Sequence, residues 1–77
     1  MYIYILHVTD SHIDDIIEVF KNSKDAIKYC KQTIKDVKRK TALIIETNEY
    51  QLETDILYNA ETNDGDTYGY VEKIKLQ

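Results

Sequence analysis

Apolar and polar residues alternate along this chain in two rhythms, one on each side of a single helical pattern. Tyr2–Val8 is β-branched and aromatic throughout, the composition of a strand. Thr9-Asp10-Ser11-His12 is turn chemistry, and Ile16-Ile17-Glu18-Val19-Phe20 predicts a second short strand that returns as a hairpin. Asn22 or Ser23 can cap a helix, with Asp25 in the first turn where the macrodipole favours an acid. The spacing predicts that helix over Lys24 to Lys38. Ile27, Cys30, Ile34 and Val37 form one apolar stripe, widened by Ala26 and Thr33.

After Lys40 the period shortens to two. Ala42–Thr47 is a short apolar run and predicts a strand. Tyr50–Tyr58 reads as a strand that turns its even positions to the core. Leu52, Ile56 and Ala60 also sit at helical spacing, so a helix from Asn48 is the alternative. Asn63-Asp64-Gly65 supplies a three-residue hairpin loop with glycine in the left-handed position. Pairing across it sets Tyr58 opposite Tyr70, Asp55 opposite Lys73, Thr54 opposite Ile74, Glu53 opposite Lys75 and Leu52 opposite Leu76. That register matches apolar with apolar and acid with base, and a slip by one residue would swap the faces. The expected fold is α+β in the order β-β-α-β-β-β, an antiparallel sheet with one amphipathic helix on one face. Residues 1–77 make a single domain.

Charge divides the chain further. Lys21 to Lys40 holds eight basic residues against Asp25 and Asp36, a formal +6. The remaining residues hold twelve acids against Lys73 and Lys75, a formal −10, so the net −4 describes neither part. Lys24, Lys28, Lys31, Lys35 and Lys38 fall within roughly 80° of one another on the helix, beside the apolar stripe. They form a ridge about 21 Å long, enough for several phosphate contacts. It reads either as a solvated face or as a site for an anionic partner. The acids Glu46, Glu49, Glu53, Asp55, Glu61, Asp64, Asp66 and Glu72 read either as an acidic surface or as a mimic of nucleic acid offered to a basic groove.

Candidate chemistry is sparse. His7, Asp10, His12, Asp14 and Asp15 could bind a divalent metal or act as an acid–base pair, but their spacing matches no metal signature. They read as a polar hairpin loop plus one sheet histidine. Asn63-Asp64-Gly65-Asp66 resembles a calcium loop without its alternating ligands or its closing glutamate, and turn chemistry explains it. Cys30, the lone cysteine, lies on the apolar stripe as a small hydrophobe and points to a reducing, cytoplasmic setting. Met1–Val8 is too short for a signal peptide or a membrane span. No glycine-rich phosphate loop, serine nucleophile motif or cysteine–histidine cluster occurs, so no cofactor, metal or catalytic activity is expected.

Tyr2-Ile3-Tyr4-Ile5, Ile16-Ile17-Glu18-Val19-Phe20, Ser23-Lys24-Asp25-Ala26-Ile27 and Gly69-Tyr70-Val71-Glu72-Lys73-Ile74 together resemble small phage and mobile-element α+β proteins of uncharacterised function. In these a hairpin leads into a helix and a final strand. The likeness covers about half of the chain and departs at Ala42–Ala60, where an extra hairpin is inserted. It carries no functional residues across. What it implies is a context, since short acidic phage proteins include inhibitors of host defence, the anti-CRISPR class among them. The first functional expectation is therefore a non-catalytic binding protein, an inhibitor that occupies a basic surface on a host protein. Glu53, Asp55, Glu61, Asp64 and Asp66 would bind, with Tyr58, Tyr68 and Tyr70 as aromatic anchors. The alternatives are a nucleic-acid-binding module using Lys24, Lys28, Lys31, Lys35 and Lys38, or a homo-oligomeric small-ligand binder joined through the uncovered sheet face.

Overall fold

The computed structural model describes residues 1–38, 42–47 and 55–76. They form β1 (Tyr2–Asp10), β2 (Ile13–Phe20), α1 (Ser23–Val37), β3 (Ile44–Thr47), β4 (Ile56–Thr62) and β5 (Thr67–Lys75). The strands make one open antiparallel sheet in the order β2-β1-β5-β4-β3, with α1 on one face. This is the expected α+β arrangement of β-β-α-β-β-β. The long pairing of β1 with β5, from Tyr2 opposite Lys75 to Asp10 opposite Thr67, puts those two strands at the centre.

Local chemistry explains each boundary. The Asp10 carboxylate accepts the His12 backbone N–H at 2.8 Å, which closes the tight turn between β1 and β2. Both strands run further than the sequence pattern suggests, because a bulge absorbs the polar pair Asp14 and Asp15 against Thr9 alone. Asn22 is the helix cap, its side-chain oxygen accepting the Lys24 N–H at 2.8 Å and the Asp25 N–H at 3.4 Å. Lys38 falls just past the helix, extended, and its ammonium donates to the Ala42 carbonyl at 3.2 Å. The end of the expected lysine ridge is therefore folded back onto the chain.

Burial follows the expected stripe with one shift. Ala26, Cys30, Thr33 and Ile34 are buried, while Ile27 and Val37 lie at its margins and are partly covered. Leu6, Val8, Tyr58, Ala60 and Val71 meet that stripe from the sheet and complete the core. Burying these side chains supplies the main driving force, at ~25 cal/mol per Å² of apolar surface. Helix and sheet approach closely at Gly69, which lies between Val8 and Ala60 in the sheet and faces Cys30 and Ile34. No side chain stands in the way there.

The C-terminal hairpin corrects the expected register in an instructive way. The loop is four residues, Asn63–Asp66, not three, with Gly65 at φ 76° donating its N–H to the Thr62 carbonyl at 2.9 Å. The Thr62 hydroxyl and the Thr67 N–H meet at 3.2 Å and close it. From the loop inward, Asn59 rather than Tyr58 opposes Tyr70, and Tyr58 opposes Val71. A bulge at Leu57 then shifts the pairing by one, so Ile56 opposes Glu72 and the Lys73 N–H donates to the Asp55 carbonyl at 2.8 Å. The expected register thus holds beyond the bulge and fails before it. The pairs Thr54–Ile74, Glu53–Lys75 and Leu52–Leu76 lie outside the described residues. β4 occupies Ile56–Thr62, so a helix from Asn48 does not reach Ala60.

Candidate functional site

With one helix on a five-stranded sheet, the second sheet face is uncovered by any described element. Period-two alternation sends Ile5 and His7 of β1, Ile17 and Val19 of β2, and Tyr68 and Tyr70 of β5 to that side. His7 and Tyr70 are cross-strand partners whose rings stack at 4.6 Å and 9°, and Tyr70 meets Tyr68 at 5.7 Å and 41°. Ile17 and Val19 are 59% and 60% exposed, so the β2 side of the face is apolar and open to solvent. Scattered exposed apolar residues are ordinary, but a contiguous strip of them marks a contact surface.

The charges on the β4 and β5 strands of this face are acidic. Glu61 stands opposite Tyr68, and Glu72 stands between Ile5 and Ile56. Burial pushes the Tyr68 hydroxyl above its ordinary range, with Tyr70 and the Glu61 carboxylate adding to the effect. Asp64 and Asp66 sit in the adjoining turn. The Asp64 carboxylate accepts the Thr62 hydroxyl at 2.6 Å and the Asp66 N–H at 3.0 Å, so it shapes the turn. The structure therefore brings Glu61, Tyr68 and Tyr70 together, with Asp64 and Asp66 nearby. Asp55 lies just before the other end of β4, six residues and about 20 Å from Glu61 at strand rise. Glu53 lies outside the described residues.

Tyr58 does not join them. It is only 4% exposed and lies on the helix side of the sheet, where it packs in the core. Its hydroxyl hydrogen-bonds to the Glu46 carboxylate, which holds that acid below its ordinary range, while burial raises the Tyr58 hydroxyl above its own. The Lys31 ammonium stands 3.6 Å from Glu46 and 5.3 Å from the Tyr58 ring centre. Lys31 thus belongs partly to this helix-to-sheet clasp. Lys24, Lys28, Lys31 and Lys35 border an open hollow of about 450 Å³ on the helix, floored by Ile27. Lys24 and Lys28 have no ion-pair partner among the described residues, while Lys35 stands near enough to Glu46 to help lower its carboxyl.

The polar loop resolves into structure. Asp10 accepts the Thr67 hydroxyl, which lowers its carboxyl below the ordinary value, and the His12 N–H adds to this. The Ser11 N–H reaches the Asp66 carbonyl at 3.2 Å, joining the two turns. His7 is on the opposite face, stacked on Tyr70. Among the described residues no three acidic, histidine or cysteine side chains gather to hold a metal ion. No described helix is long and apolar enough to cross a membrane.

No protein-family model matches the chain, nor does any curated protein or solved structure. The sequence pattern understated the uncovered face. Its signal was present in Tyr2–Val8, where odd and even positions are both apolar, as in strands that need cover on both faces.

Proposed function

We propose that this protein is a non-catalytic binding protein whose uncovered sheet face is its contact surface. The observation that supports this is the pairing of an exposed apolar strip, Ile17 and Val19, with an aromatic and acidic patch, Tyr68, Tyr70 and Glu61, on one side of a rigid sheet. Aromatic anchors on a rigid surface lose little entropy on contact, and acids beside them select a basic partner and speed encounter. The resemblance to phage-type proteins gives the partner class proposed here, a basic surface such as the nucleic-acid groove of a host defence protein.

Tyr68→Ala is expected to weaken binding to such a purified nuclease about 30-fold, the scale of a hot-spot truncation. Glu61→Lys should slow association most strongly at low salt. Both are read by surface plasmon resonance beside inhibition of cleavage. Affinities that survive both substitutions unchanged would remove the face from consideration.

The lysine hollow supports a second reading, a polyanion site. Affinity for single-stranded DNA should then fall steeply with salt, and the slope should lessen in Lys28→Glu. Absence of binding at low salt ends that reading.

A further inference from the structure

We propose that β2 pairs edge to edge with β2 of a second copy of this chain, antiparallel about a two-fold axis through Ile17. Among the described residues β2 ends the sheet, hydrogen-bonded to β1 alone, and its eight residues are twice the described length of β3 at the other edge. Ile13, Ile17 and Val19 are exposed along it. β2 carries the bulge at Asp14 and Asp15 and is regular from Ile16 to Phe20, and a regular edge with exposed apolar residues is a template for another strand unless charges oppose the pairing. The charges on β2 are acids, Asp14, Asp15 and Glu18, and they select a single register instead of forbidding all of them.

A two-fold axis normal to the sheet keeps each face on its own side, so each residue must oppose one of the same parity. Of the registers that overlap over more than half of the strand, three set acid against acid. Centring on Asp15 opposes Asp15 to itself, centring on Ile16 opposes Asp14 to Glu18, and centring on Glu18 opposes Glu18 to itself. Like charges directly opposite destabilise a pair. Centring on Ile17 avoids every such clash: Ile17 meets Ile17, Asp15 meets Val19, Ile16 meets Glu18 and Asp14 meets Phe20. Lys21, one residue past the strand, then lies diagonal to Asp15 of the other copy, within reach of its long side chain. The outcome is one continuous sheet with both uncovered faces on the same side.

This interface uses the hydrogen-bonding edge of β2 and so goes beyond the contact surface proposed above. Tyr68→Ala should leave it unchanged, and its failure would leave the face proposal standing. The test uses the full chain. Sedimentation equilibrium should give the mass of two chains, and Ile17→Lys should return the mass of one with an unchanged circular dichroism spectrum. Under mild oxidation Ile17→Cys should form a disulfide-linked dimer about ten-fold faster than Asp15→Cys or Val19→Cys alone, because only a self-opposed position meets disulfide geometry. An equimolar mixture of Asp15→Cys and Val19→Cys should cross-link. A monomer at all concentrations, or equal cross-linking at Ile17 and Val19, overturns the proposal.

Discussion

Gly69→Val is expected to destabilise this protein by about 3 kcal/mol or more, a large share of the stability available to a domain of this size. A Cβ placed on Gly69 would lie 2.8 Å from Ile34 Cδ1, 3.1 Å from Cys30 Sγ and 3.2 Å from Ile34 Cγ1. Carbon contacts are comfortable at about 3.5–4.0 Å. Ile34 and Cys30 are fully buried, so neither has free space into which to retreat. Gly69→Ala brings a compensating gain of about 0.4–1 kcal/mol from the less flexible unfolded chain, since Gly69 has no positive φ. Overpacking of about 1–3 kcal/mol outweighs it. Ile34→Val removes the offending Cδ1, so combined with Gly69→Ala it should cost less than the sum of the two single changes. Urea denaturation of all four proteins completes the cycle. Strict additivity would mean that helix and sheet do not meet at this point.

That contact shows which parts of the fold were legible in the sequence. The helix was, because Ala26, Cys30 and Ile34 repeat at its own period and Asn22 can cap it. Of the C-terminal pairing, the three pairs furthest out lie outside the described residues, and Asp55 opposite Lys73 was legible because opposite charges match across it. The inner half was not, because a bulge at Leu57 and a fourth loop residue each move the register by one and cancel beyond the bulge. No residue type announces that cancellation. Gly69 carried a usable signal, since glycine within a strand often marks close approach of another element. The candidate site was legible in part. Tyr68, Tyr70 and Glu61 were recognised and do converge, while Tyr58 shares their composition and not their face. A residue-by-residue reading cannot separate two faces of a sheet when one slip in register exchanges them. Ile17 and Val19 give no signal of their exposure, because apolar strand residues are ordinarily core.

Alkaline pH is expected to unfold the protein, beginning near pH 9 and led by Cys30. Burial raises the Cys30 thiol from 9.0 to about 12. Burial also raises Tyr58 above its ordinary 10.0, and its bond to Glu46 adds to this. In both cases the folded state keeps a proton that the unfolded chain gives up. Their contribution is therefore complete below the unfolded value and declines as pH rises toward the folded one. For Cys30 the window runs from about pH 9 to about 12, with a slope of roughly 1 kcal/mol per pH unit. Tyr58 adds its own slope above about pH 10, so the curve should steepen there. Tyr58 and Tyr68 are both raised from 10.0, which makes the interval between pH 9 and 10 the clean place to read the thiol. Cys30→Ala should lower stability at neutral pH through lost packing yet flatten the curve in that interval, and Tyr58→Phe should reduce the steepening above it, leaving the part that Tyr68 contributes. Iodoacetamide should alkylate Cys30 only as fast as the protein opens, because thiolate is the reactive form and the folded core disfavours it. Parallel slopes for the native chain and Cys30→Ala between pH 9 and 10 would show that the thiol is not held protonated by the core. The same result would weaken the placement of Cys30 against Gly69, since a thiol packed that closely has no water to stabilise its charge.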